Sequence, residues 1–258
     1  MRRLIIEEPY SAAAIWSRRV GVFAVAVAAV AVLLSRIGAV DPTGALAVLG
    51  AALILACLAG LLAATAFVVI WRTGRRGAGL AWSGLILAVL MMAYPAYLTV
   101  KAITLPTIND VSTDLDNPPT FLMSVKAREA RGNRMPPELS PATKEAQRRA
   151  YPAVQPIMVD LETNDAYRLA LDLVKANHWR IVDAVAPSVR ENVGHIDAIA
   201  GSLVMGFPSD VAIRVKPSAT QTRIDIRSVS RVGRHDFGDN AKRIEKFAAA
   251  VAEAAKER

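Results

Sequence analysis

Three stretches of the chain carry almost no polar residue, and they come one after another near the amino terminus. Val20–Leu34 is free of charge and runs on past Ser35 and Arg36 to Val40, Gly44–Trp71 contains no charge, and Gly77–Val100 contains none either. About 20 apolar residues in a helix cross a hydrocarbon core about 30 Å thick. The pattern therefore predicts three membrane-spanning helices, at about 20–40, 44–71 and 77–100, with Arg36 reaching out toward a headgroup. Buried core helices of a water-soluble protein do not account for these runs. Each is apolar on every face, and the links between them are too short for a soluble fold.

Beyond Lys101 the pattern changes twice. Residues 104–154 are rich in proline (Pro106, Pro118, Pro119, Pro136, Pro137, Pro141 and Pro152, with Pro156 just after) and show little periodicity, as expected of an extended connector. One short helix, Pro141–Ala150, is expected there, with Ser140 as its cap and proline in its first turn. From residue 155 to 258 the alternation is that of a compact domain. After a brief extended stretch at Ile157–Leu161, Ala166, Leu169, Ala170, Leu173 and Val174 mark a helix that Thr163 or Asn164 can cap. Four strands are predicted next, at Trp179–Ala186, Gly194–Ala200, Asp210–Lys216 and Thr222–Ser230. In the last two, Val211, Ile213, Val215, Ile224 and Ile226 point inward, while Arg214, Lys216, Arg223, Asp225 and Arg227 point the other way, onto a face expected to be solvated or to meet lipid headgroups or a partner. A final helix, about Asn240–Lys256, has Ile244, Phe247, Ala248, Val251 and Ala255 on one stripe. The fold class expected is α+β: three transmembrane helices (1–103), then a small two-layer sandwich in which an antiparallel sheet of about four strands packs on two helices.

Composition sharpens this division. The whole chain has 53% hydrophobic residues and a formal net charge of +8. Residues 1–103 hold nine basic and three acidic residues, and 104–258 hold twenty-two and twenty, so the basic character belongs to the membrane part and nucleic-acid binding is not expected. Arg2, Arg3, Arg18, Arg19, Arg72, Arg75 and Arg76 flank one side of the spans, against Arg36 and Lys101 on the other. The positive-inside rule then puts the amino terminus in the cytoplasm and everything after Lys101 outside. A cleaved signal peptide is disfavoured, because nineteen residues precede the first run and two more spans follow it. The single cysteine, Cys57, excludes an internal disulfide framework and, lying in mid-span, reads as a small hydrophobe. None of the spans has an internal Asp, Glu, Lys, Arg or His, so transport is not the expected activity. Ala56, Gly60 and Ala64 form a small-xxx-small line suited to packing among the three helices, and Pro95 is expected to kink or end the third.

Chemistry is sparse. Around the last strand-to-helix turn, Gly233 and Gly238 allow tight backbone and Asp236 or Asp239 can cap the helix. The same turn offers a ligand-binding reading, in which exposed N–H groups with Arg231, Arg234, Asp236, Asn240 and Arg243 hold a carboxylate or an anionic headgroup. That reading predicts a basic concavity near Arg231. A hydrolase using Ser230, His235 and Asp236 is the alternative, without a glycine-flanked serine elbow to support it. His195 and Asp197 share a strand face, and Asp236-Phe237-Gly238 lacks the other kinase motifs. Asp110, Asp114 and Asp116 fail the calcium-loop spacing and read as turn formers, so neither metal nor cofactor is expected.

Four blocks carry a resemblance: INDVSTDLDNPPTF (Ile108–Phe121), YPAVQP (Tyr151–Pro156), GFPSDVAIRVKP (Gly206–Pro217) and RIDIRSVSRVGRHDFGDNAKRI (Arg223–Ile244). In this order they resemble domain-of-unknown-function (DUF) family 1499 over about 108–247. The resemblance implies no activity. It implies a bacterial envelope protein with the domain carried on membrane helices. Joined to the charge asymmetry and the basic residues, the expectation is an inner-membrane anchor with a periplasmic domain, whose partners are the bilayer and an envelope protein or anionic lipid headgroup.

Overall fold

A computed structural model describes residues 8–256, and the chain divides into two compact units at Val100/Lys101. Arg2 and Arg3 of the basic count lie outside the described residues.

The first unit is built on helices α1 (Ala12–Arg36), α2 (Pro42–Thr73) and α3 (Ala78–Thr104), each long and apolar enough to cross a membrane. α1 begins eight residues before the expected start at 20 and ends at Arg36 instead of Val40. The apolar run measures hydrocarbon thickness, whereas the helix continues through Trp16, Arg18 and Arg19 until Ser11. At α2 the Asp41 side chain accepts from Thr43 N–H and Gly44 N–H with Pro42 in the first turn, and Gly74, at φ 69°, ends the helix in the left-handed region. α3 continues through Pro95, where Thr99 Oγ1 donates to the Pro95 carbonyl at 2.9 Å.

Small residues let these helices close up. The buried line on α2 is Ala52, Ala56, Ala59, Ala63 and Ala66. Of the expected line only Ala56 is central: Gly60 faces Ala88 and Ala64 is exposed. Ser17 Oγ donates to the Ala59 carbonyl at 3.1 Å. On α3 Gly84 comes so near that an added Cβ would stand 1.8 Å from Ser17 Oγ.

The second unit is the α+β domain. Its elements are β1 (Asp110–Ser112), α4 (Val125–Ala130), α5 (Pro141–Ala150), β2 (Ile157–Val159), α6 (Thr163–Ala176), β3 (Arg180–Val185), β4 (Gly194–Gly201), β5 (Pro208–Ser218), β6 (Gln221–Ser230) and α7 (Asp239–Lys256). All strand pairs are antiparallel in the order β1-β6-β5-β4-β3, and β2 also pairs with β6. The sheet therefore has six strands, not four. The two additions are three-residue segments, too short to show alternation, that share one edge of β6.

α6 and α7 cover one face of this sheet. Leu169, Val174, Ile196, Ile213, Ile224, Ile226, Ile244, Phe247 and Val251 form the core, with Trp179 stacked on Phe247 at 5.6 Å. The cap of α6 is Glu162, without a side-chain bond, whereas Ser140 caps α5 as its sequence predicts. The stretch read as a connector is built into the domain. Ile108, Val111 and Val154 are core residues, and Phe121 is buried with Ala212 and Val229 on the second face of the sheet. Proline interrupts periodicity here without preventing burial, because side chains of the sheet satisfy the irregular backbone.

Candidate functional site

The last strand-to-helix turn is a knot of internal hydrogen bonds. Gly233 (φ 79°) and Gly238 (φ 77°) take the left-handed backbone that brings β6 round to α7. Asp236 accepts from Gly238 N–H at 2.9 Å through one oxygen and from Asn240 N–H at 3.0 Å through the other. Burial pushes its carboxyl above the ordinary range, against the pull of those two donors. Asn240 is fully buried. Its amide donates to the Asn109 carbonyl (2.9 Å) and Ser230 Oγ (3.0 Å), and its oxygen accepts from Ser228 Oγ (2.8 Å) and Arg243 (2.6 Å). Arg243 also donates to Ser228 Oγ, and burial lowers its pKa.

Of the five residues assigned to ligand binding, four thus serve the fold. Arg231 is exposed yet grips Asp210 with two bonds of 2.9 and 2.7 Å, and Arg234 is exposed as well. The nearby concavity, about 90 Å³, is lined by Ser209, Ser230, Val232, His235, Asp236 and Phe237, and among the described residues no arginine borders it. His235 Nδ1 accepts from Phe237 N–H at 2.9 Å, the ring stacks on Phe237, and Nε2 is buried without a partner among the described residues. Asp236 therefore does not orient His235 as a triad requires, since both its oxygens are engaged by backbone.

The polar face of the sheet is not solvated. Arg214 binds Asp225 (2.8 Å), Asp114 (3.2 Å) and the Asn117 carbonyl (2.8 Å), while Arg223 binds Asp114 (2.6 Å) and Asp225 (2.8 Å). Arg227 binds both oxygens of Asp110 and the Pro137 carbonyl. Arg131, its side chain 1% exposed, pairs with Asp197 and, at 3.5 Å, with Asp210. Phe121 lies between two guanidiniums, 4.8 Å from Arg131 and 5.4 Å from Arg227. Burial raises the pKa of Asp110 and Asp197 against their arginines. His195 is lowered, by burial and then by Arg214. The acidic run Asp110, Asp114 and Asp116 is thus answered by arginines, Asp116 by Arg148 at 3.2 Å.

A cleft of about 470 Å³ opens where β1 and β2 diverge along β6. Thr113–Asp116 forms one wall and Tyr151–Pro156 the other, with Gln147 and Arg148 of α5 and Arg223 at its base. Gln147 seals the outer edge of β1, accepting from Ser112 N–H at 3.0 Å and donating to the Ser112 carbonyl at 2.6 Å. Burial, aided by Asp236 and Glu245, pushes the Tyr151 hydroxyl up to about 12. Sequence reasoning missed Arg131, Gln147 and this cleft. The available signal was the mixed sign of the outward row, Asp210, Arg214, Asp225 and Arg227, which calls for partners and not water.

The family model described as protein of unknown function (DUF1499) matches residues 110–251, more than half of the chain. No curated protein matches.

Proposed function

Because the chain belongs to the DUF1499 family, whose description assigns no activity, we propose its role from geometry: a three-span inner-membrane protein that presents a binding or interaction domain to the periplasm. The cleft between Thr113–Asp116 and Tyr151–Pro156 carries the binding part of this reading. It is formed by segments from two sides of the sheet edge, and its rim offers both charges, with Asp116 and Arg148 exposed. Such a rim suits an extended segment of an envelope protein, with amides for Gln155 and both charge signs for Asp116 and Arg148. Orientation is supported by Arg18, Arg19, Arg72, Arg75 and Arg76 at one side of the spans against Arg36 and Lys101 at the other.

Hydrolysis at the last turn is less well supported, since Asp236, Asn240 and Ser230 hold one another and the backbone. Two experiments test the proposal. Fusion of a reporter after Arg258 is expected to give phosphatase activity without cytoplasmic fluorescence, and the reverse result refutes the orientation. A photo-crosslinking residue at Gln155 is expected to trap a partner in intact cells while one at Arg168, on α6, does not. Equal trapping at both positions refutes the cleft.

A further inference from the structure

The first unit has its own concavity, at the end where α1 begins. A groove of about 560 Å³ runs along α1 with Leu80 of α3 as its far wall. Ile15, Val22, Phe23 and Ala26 line it, and Arg18 and Arg19 stand over it. These positions recur three and four apart, so one stripe of α1 supplies them all. From Arg18 to Ala26 the stripe extends about 12 Å down the helix. Val22 and Phe23 are 53% and 59% exposed, which leaves the groove open along its length. Arg19 lies over the exposed Trp16 ring at 5.5 Å, and neither arginine forms an ion pair with a described residue.

We propose that this groove is a binding site for one anionic phospholipid. The phosphate sits on Arg18 and Arg19, and an acyl chain follows Val22, Phe23 and Ala26 against Leu80. The argument is charge complementarity joined to shape. Two guanidiniums that form no ion pair with a described residue line the groove, Arg19 over the ring of Trp16, a residue that favours the headgroup level, and the apolar channel leads away from them in the direction lipid tails take. Basic pockets between spanning helices hold anionic headgroups by this combination. A free phosphate would use the arginines and leave the channel empty, whereas a neutral lipid would use the channel and leave both charges unanswered. The inference requires only that the helices lie in a bilayer, and neither the orientation nor the cleft proposed above.

The test uses the full chain in nanodiscs of equimolar phosphatidylglycerol and phosphatidylcholine, with retained lipid counted by native mass spectrometry. An arginine that touches the bound headgroup favours an anionic lipid by about fivefold, so the two arginines lining the groove set a ceiling of about thirtyfold. Retention of phosphatidylglycerol over phosphatidylcholine by at least about fivefold is expected, falling to parity in R18Q/R19Q. Ala26→Phe, which fills an exposed channel position and keeps both charges, is expected to lower total retention. R72Q/R75Q is expected to change nothing. Equal retention of the two lipids by the wild type overturns the proposal. So does a preference that survives R18Q/R19Q, an equal loss in R72Q/R75Q, or displacement of the lipid by millimolar glycerol phosphate.

Discussion

Arg131 offers the sharpest test of how the domain holds together. Its side chain and that of Asp197 are each 1% exposed, and it reaches Asp210 as well. It also donates to the carbonyls of Leu122 (3.1 Å) and Ala127 (3.2 Å) and stacks over Phe121. Arg131→Met keeps most of the volume but removes the charge and all of these bonds. Asp210 retains Arg231, whereas Asp197 keeps only the Leu122 N–H at 2.8 Å. Stranding one partner of a buried pair costs about 3–5 kcal/mol. For a domain of this size each kcal/mol moves Tm by about 2–4 °C, so a fall of about 6–20 °C is expected in thermal unfolding followed by near-ultraviolet dichroism of the Trp179–Phe247 stack. The defect must also depend on pH. Burial already raises the Asp197 pKa, and loss of Arg131 raises it further, so protonation relieves the stranded charge and the gap to wild type narrows as pH falls. Asp197→Asn in the Arg131→Met background is expected to restore part of the loss. A Tm within about 2 °C of wild type, or a gap that widens toward acid, would refute the reasoning.

Three further outcomes follow from the same geometry. Gln147→Leu leaves the Ser112 N–H and carbonyl unpaired beneath α5 and is expected to cost about 2–4 kcal/mol, read as a lower urea midpoint with an unchanged slope. Gly84→Leu is expected to force α1 and α3 apart and abolish disulfide trapping between cysteines placed along that contact. Ser17→Ala should not rescue it, because an added Cβ also meets the Ser17 carbonyl carbon at 2.8 Å. Asp110, Asp197 and Asp236 have raised pKa values, so the stability they contribute is full below the ordinary 3.8 and lost as pH rises through each raised value. His195 works the other way: its pKa is lowered, so its contribution is present above the ordinary 6.5 and lost as pH falls through the lowered value. His195→Gln is therefore expected to raise the urea midpoint relative to wild type at mildly acidic pH and not at pH 8. An equal effect at both values would contradict the assignment.

What could be read from residues alone divides along physical lines. The spans and the strands β4, β5 and β6 were legible because burial imposes a period or a run on the residues, as Val211, Ile213 and Val215 illustrate. Ser140 and Pro141 announced α5 through local chemistry. Strand β1 was not legible. Three residues carry no period, and its pairing depends on Arg227, which lies 117 positions away from Asp110. The outward row on β5 and β6 reads as a face for solvent, lipid headgroups or a partner because charge usually marks an accessible surface. Its burial is a tertiary fact, supplied by Phe121, Arg131 and Pro137 from a segment whose regular structure is limited to the short helix α4. The same limit explains the candidate site. Arg231, Asp236, Asn240 and Arg243 have the chemistry of an anion site, and only the positions of Asp210, Ser228 and Asn109 reveal that it is engaged within the fold.

The edge of the sheet also sets a timetable. α3 ends at Thr104, and Asp110 opens β1 almost at once, but β6 is among the last strands to be made. With 117 residues between Asp110 and Arg227, synthesis at about 5–20 residues per second leaves β1 waiting on the order of ten seconds. During that interval the carboxylates of Asp110 and Asp114 have no arginines, and Phe121 has no sheet to lie on. The stretch nearest the last span is made first and docks late, so for some seconds each new molecule exposes a segment that a chaperone or protease can reach.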